Sequence, residues 1–178
     1  MKDRYGTLSI ALHWIMLALL AAVYACIELR ELYPRGSEPR DLLKTWHFML
    51  GLTVFLLVWV RIAARWHGGT PPIVPPPPAW QRLSARAVHL LLYLLMILMP
   101  IAGWTILSAE GKPVPYFGLT LPPLVAPDKE LAELVEGLHE SAGTAGYWII
   151  GLHAAAALGH HYLRGDDTLR RMMRGSRR

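Results

Sequence analysis

Cysteine is almost missing from this chain: Cys26 is the only one among 178 residues. A single thiol excludes an internal disulfide framework, a cysteine-held iron–sulfur cluster and the C-x-x-C-H motif that fastens haem covalently. No internal repeat is present, and no small-residue cleavage site follows the first apolar stretch. That stretch is also longer than a signal-peptide core, so it is expected to remain as a helix.

What fills the chain instead is apolar sequence gathered into blocks, with a mean hydropathy of +0.30. Four blocks, at approximately 8–29, 42–60, 88–107 and 142–163, have the length needed to cross about 30 Å of hydrocarbon. Together with short loops they use nearly all of residues 1–178, which leaves no room for a soluble domain. The expected fold class is all-α, an integral membrane four-helix bundle forming one domain. Between the second and third blocks, Thr70–Pro78 is too rich in proline for helix and is expected to be a stiff polyproline II strap. Pro100 and Gly103 are expected to bend the third helix, which membrane spans tolerate. The loop 108–138 is the longest, and its leucine-rich, acidic end at 128–138 reads as a short interfacial helix leading into the fourth span.

The net charge of +5 points to a membrane rather than to nucleic acid once its placement is considered. With the N-terminus inside, the inner segments hold Lys2, Arg4, Arg61, Arg65, Arg82, Arg86, Arg164, Arg170, Arg171, Arg174, Arg177 and Arg178. The outer segments hold Arg30, Arg35, Arg40, Lys44, Lys112 and Lys129, beside most of the acids. Twelve basic residues against six is the positive-inside bias, so both termini are expected in the cytoplasm. The tail 170–178 is expected to meet anionic lipid.

Histidine carries the chemistry. An imidazole within a span is costly unless it has a partner, yet His13, His47, His139 and His153 all lie in or beside the apolar blocks. His139 and His153 are fourteen residues apart, about four helical turns or roughly 21 Å of rise, and return to nearly the same face. One helix therefore offers one ligand to each of two stacked metal centres. Depth pairs His47 with His139 toward the outside and His13 with His153 toward the inside. Two imidazoles on each iron leave no open position for a gas and suit electron transfer, so two non-covalent haem b groups are the expected cofactors.

Steps of four and three along the fourth helix give His139, Gly143, Gly146, Ile150, His153, Ala157 and His160. The small residues between the histidines make a trough for a flat macrocycle, or else simply a close helix contact. Gly51, one turn after His47, has a similar space-making role. His89 is the rival to His13 as an inner ligand. His160 continues the stripe toward the cytoplasm, where it either bonds a quinone carbonyl or meets lipid headgroups. His161 is expected at the interface and His67 in a solvated loop.

Several segments resemble the bacterial cytochrome b561 family. They are Ile10-Ala-Leu-His-Trp14, Pro71-Pro-Ile-Val-Pro75, Phe117-Gly-Leu-Thr-Leu-Pro122, the helix-four run Ile150–His161 and Leu169-Arg-Arg-Met-Met173. The likeness covers nearly the full length and is most specific in helix four. It implies a bacterial inner-membrane protein of four helices with two haems, ligated by His13, His47, His139 and His153. It also implies quinone binding at His160.

Within that family the pattern is similar to members with superoxide oxidase activity (superoxide:ubiquinone oxidoreductase). These take electrons from superoxide at the periplasmic face and reduce ubiquinone at the cytoplasmic side. The alternative expectation is an electron-carrier subunit serving a periplasmic dehydrogenase, which needs a protein partner. A haem-free transporter or scaffold is the third class.

Overall fold

A computed structural model describes residues 4–173. Four long helices dominate: α1 (Thr7–Leu29), α2 (Glu38–Gly68), α3 (Ala79–Ala109) and α4 (Lys129–Tyr162). Their connections, 30–37, 69–78 and 110–128, make them run up and down. Both described chain ends therefore lie at one end of the bundle, the terminal end, with 30–37 and 110–128 at the opposite, loop end. Helix α1 packs on α2, α3 packs on α4, and α2 meets α3. Met16, Val54, Val58 and Met96 form a core shared by α1, α2 and α3 at mid-depth.

Among the described residues, three helices are long and apolar enough to cross a membrane: α1 with its extension to Leu32, α2 and α3, with mean hydropathies of 2.3, 1.9 and 2.3. The fourth falls short because Gly143, Thr144, Gly146, Gly151 and His153 dilute the apolar stretch of α4. Large apolar side chains face outward, among them Ile15, Leu56, Leu91 and Leu98.

The helices extend beyond the apolar blocks, because helix formation needs backbone hydrogen bonds rather than hydropathy. Thus Arg61 and Arg65 lie within α2, and Arg82 and Arg86 within α3. His67, expected in a loop, is in the last turn of α2 and donates Nδ1–H to Ala63 O over 2.8 Å. Residues 128–138 are no separate interfacial helix but the start of the 34-residue α4. Asp128 caps that start by accepting from Leu131 N over 3.1 Å. Gly137 does not break the helix, since one glycine costs only about 1 kcal/mol.

The long loop also holds a hairpin that the sequence reading missed, β1 (Val114–Tyr116) against β2 (Leu119–Leu121). Tyr116 pairs with Leu119, so Phe117 and Gly118 form the two-residue turn. Their φ values, 46° and 86°, are both positive, as a tight hairpin turn of matching twist requires. Phe117 N is anchored on Met49 Sδ at 3.3 Å, and Val114 packs with Leu52 and Leu107 beneath it. Such short strands carry too little alternation to read in advance.

Residues 69–78 are free of helix, as their prolines demand, and include one cis bond at Val74–Pro75. The chain after α4 folds back under this strap. Asp167 accepts from Val74 N at 3.0 Å, Arg171 donates to Pro71 O, and Trp14 Nε1 donates to Met172 O at 2.8 Å. Arg171, expected among lipid headgroups, is therefore buried, because three elements supply its partners. Arg174, Arg177 and Arg178 of the same tail, and Lys2, lie outside the described residues.

Candidate functional site

Two cavities lie between the α1–α2 pair and the α3–α4 pair, one toward each end of the bundle. The loop-end cavity, about 430 Å³, is lined by His47 and His139 together with Gly51, Gly103 and Gly143. The terminal-end cavity, about 450 Å³, is lined by His13, His89, His153 and His160. Both volumes fall in the range of sites that hold cofactor-sized ligands. The two ends of the α4 stripe thus open into different cavities.

In each cavity two histidine rings approach one another edge-on at the same spacing, with planes inclined by 70° and 73°. His47 and His139 have ring centres 6.2 Å apart, and so do His13 and His153. Metal–nitrogen bonds of about 2 Å, with each ring centre about 1.1 Å behind its nitrogen, sum across a metal to roughly 6.2 Å. The rival His89 is 5.3 Å from His153, too close for a metal between them. Among the described residues no group of three or more His, Cys, Asp or Glu converges on one point. Each pair would therefore offer two ligands only, and a metal there would need its remaining ligands from a group other than the protein, as the iron of a porphyrin has them.

The nitrogens bear on the same fit. His47 donates Nδ1–H to Val23 O over 3.0 Å, which fixes the ring and leaves Nε2 free to bind a metal. His139 Nδ1 is buried without a partner, against Gly103, where an added Cβ would lie 3.7 Å from the ring. A buried orphan nitrogen is costly unless a bound group compensates it. His13 Nδ1 instead accepts from Arg61 at 3.2 Å. A ring binding metal through Nε2 carries its proton on Nδ1, so this contact is one that a bound haem would exchange.

The trough along α4 is not uniformly open. No atom lies within 4 Å of a Cβ built at Gly51, whereas the space beside Gly146 is filled by the hydroxyl of Tyr24. That hydroxyl donates to Gly143 O over 2.9 Å and so ties α1 to α4. Tyr24 also packs against Tyr147, with ring centres 4.4 Å apart and planes tilted by 49°, and Tyr147 donates to Glu28 over 2.7 Å. The sequence reading did not single out these residues, since a tyrosine within a span carries no signal of its own.

Polar groups gather at the mouth of each cavity. Arg61, Arg65 and Arg82 line the terminal-end cavity and can hold propionates or another anion, whereas Arg171, which also lines it, is committed to Pro71 O and Asp167. His160 is oriented there by Asp166, a partner the sequence did not reveal, with Nδ1 2.6 Å from Oδ2. Burial works against ionisation of Asp166, but hydrogen bonds from Thr168 and His160 outweigh it and hold the carboxyl below its ordinary range. His161 turns away from the stripe and donates Nδ1–H to Asp166 O at 3.2 Å. At the loop end the lining includes Glu28, Glu31, Glu110, Glu136 and Glu140 against Arg30 and Lys44. The pair from Arg30 and Arg40 to Glu31, at 2.9 and 2.8 Å, clamps the short loop.

Comparison with known proteins agrees with this architecture. The pattern of the prokaryotic cytochrome b561 family matches residues 4–175. The chain is 38% identical over 171 residues to Cytochrome b561 homolog 1 of Escherichia coli (strain K12), covering 96% of this chain and 97% of that one. It is 38% identical over 173 residues to the Probable superoxide oxidase CybB of Yersinia pestis, covering 97% of each. Cytochrome b561 homolog 2 of Escherichia coli (strain K12) is 30% identical over 175 residues, covering 96% of this chain and 92% of that one. With its helical membrane bundle and paired histidines, the chain belongs to the prokaryotic cytochrome b561 family, inner-membrane cytochromes that bind b-type haem and transfer electrons.

Proposed function

We propose that this protein carries two b-type haems and moves electrons from superoxide at the periplasmic face to ubiquinone at the cytoplasmic face. His47 and His139 hold one iron, His13 and His153 the other. Both termini are cytoplasmic, so the terminal-end cavity is the inner one. One observation carries the reading: two histidine pairs, each with ring centres 6.2 Å apart, in separate cavities at the two ends of the bundle. The name of the Yersinia pestis relative, a probable superoxide oxidase, supports the choice of donor.

When bound, the haems supply a one-electron relay across the bilayer. Two superoxide ions become two molecules of dioxygen, and one ubiquinone takes up two electrons and two cytoplasmic protons to become a quinol. The residues orient and hold. His47 is fixed by its bond to Val23 O, so its Nε2 keeps one direction. His47 with His139, and His13 with His153, would each give an iron two imidazoles, so that superoxide would exchange electrons with the bound group without binding its metal. Arg61 and Arg65 offer charge to propionates from α2. His160, held by Asp166, presents an imidazole to an oxygen of the quinone.

A second reading has one observation in its favour. Five carboxylates against two bases at the loop-end mouth suit a basic protein donor better than an anion. The test is the purified, haem-loaded protein supplied with superoxide and ubiquinone-1. Quinol formation in proportion to protein, at two superoxide ions per quinol, is expected. No haem reduction by superoxide, with reduction only after a periplasmic protein fraction is added, would replace the first reading by the second.

A further inference from the structure

We propose that Asp166 is a positioning residue of the inner site, holding His160 so that Nε2 is the nitrogen offered to the quinone oxygen. The inference rests on reading the terminal-end cavity as the quinone site.

The local chain builds this contact. Helix α4 ends with Arg164 N donating to Gly159 O over 3.2 Å, and Gly165 then takes φ +69°, the left-handed conformation that turns a chain back after a helix. The turn brings Asp166 beneath the helix end, where its own N–H donates to His160 O at 3.2 Å. The carboxylate is wholly buried, with its side chain 0% exposed, and both oxygens are used. Oδ1 accepts from Thr168 N at 2.9 Å, and Oδ2 faces His160 Nδ1 at 2.6 Å. Asp167, next in sequence, is pinned to Val74 of the strap, so the turn is held from both sides.

The chemistry then follows from the inventory of donors. An ionised carboxylate only accepts, so His160 Nδ1 must donate to it. In the neutral ring Nε2 is left as an acceptor, suited to the hydroxyl of a quinol. In the protonated ring Nε2 is a donor, suited to the carbonyl of a quinone. The same nitrogen thus meets the same oxygen before and after reduction, without the ring turning. His160 lines the cavity beside Ala157 and Trp14, where Nε2 is its remaining polar atom.

Asp166→Asn separates position from charge. The amide keeps the size and keeps Oδ1 on Thr168 N, but it turns an N–H toward His160 Nδ1. That forces the ring proton onto Nε2. In a serine-protease triad the equivalent change leaves the geometry intact and lowers kcat about 10⁴-fold.

The test uses the haem-loaded protein with nitrogen-15 histidine, in the reduced state, the His160 signal being assigned by its loss in His160→Gln. The wild type is expected to carry the proton on Nδ1, and Asp166→Asn to carry it on Nε2. Reoxidation of prereduced protein by ubiquinone-1 should fall at least tenfold at saturating quinone in Asp166→Asn. The half-saturating concentration should change less, with haem content and reduced spectrum unaltered. A wild-type His160 protonated on Nε2, or a variant with unchanged tautomer and rate, would overturn the proposal. Should Asp166→Asn lose haem, the wild-type tautomer alone decides. A wild type that quinone cannot reoxidise sinks the reading of the cavity instead, and the tautomer still reports on the Asp166–His160 contact.

Discussion

The Tyr24 hydroxyl donates to Gly143 O across 2.9 Å, and the space it takes is the space a side chain at Gly146 would need. A Cβ at Gly146 would overlap that hydroxyl and lie 3.1 Å from Leu95 Cδ1. Both neighbours would have to move, and the tyrosine is held by its own hydrogen bond. Gly146→Ala should therefore cost about 1–3 kcal/mol, as overpacking does. Thermal unfolding in detergent is the measurement. Adding Tyr24→Phe, which removes the clashing oxygen, should recover part of the loss.

The ligand assignment predicts a pattern of loss in pairs. Haem content per protein should fall from two to one in His47→Ala and in His139→Ala, with the same spectral component missing from both. His13→Ala and His153→Ala should both lack the other component. His89→Ala and His160→Gln should keep both haems, because His89 is only 5.3 Å from His153 and His160 is engaged with Asp166. Haem extraction and the reduced absorbance spectrum check each variant.

The loop-end mouth predicts a charge effect on the donor. Glu136 and Glu140 are exposed and line that cavity. Replacing both with lysine should raise kcat/KM for superoxide several-fold at low salt, and the gain should shrink as ionic strength rises. A basic protein donor would respond in the opposite direction, so the sign of the change identifies the donor class.

Arg171 predicts how firmly the segment after α4 is held. Its side chain is 6% exposed, donates to Pro71 O, lies 3.5 Å from Asp167 and stacks 5.7 Å over Tyr5. Arg171→Met should lose about 1.5–3 kcal/mol, the worth of a hydrogen bond made by a charged group. A lower Tm and earlier trypsin cleavage at Arg164 would register it.

Asp166 predicts an acid limit. Its carboxyl pKa lies below the ordinary 3.8 because hydrogen bonds from Thr168 and His160 outweigh its burial. A carboxyl depressed on folding adds stability that is complete above its unfolded pKa and is lost as pH falls through the folded one. The wild type should thus lose this contribution below about pH 4. Asp166→Asn should show a flatter dependence there, by thermal unfolding between pH 5 and pH 3.

Much of this was legible along the chain because spans and helical rise are one-dimensional quantities. Hydropathy marked the apolar blocks, and fourteen residues of α-helix put His139 and His153 at two levels whatever the rest of the chain does. Depth alone matched His47 to His139 and His13 to His153, and their rings do approach one another. Helix ends were harder, since Arg61 and Arg82 are polar yet helical, and their backbone bonds extend past the apolar blocks.

The sequence by itself therefore determined the membrane setting, the helical class and the depth of each histidine, all of which follow from local composition and a fixed rise per residue. Only the tertiary structure decided which side chains meet across helices: Tyr24 in the groove at Gly146, Asp166 beneath His160, Arg171 under the strap, and His89 too near His153 for a metal between them. These contacts join residues from 6 to 122 positions apart, and their geometry depends on how neighbouring helices rotate and where the chain turns back. No pattern along one helix records those rotations.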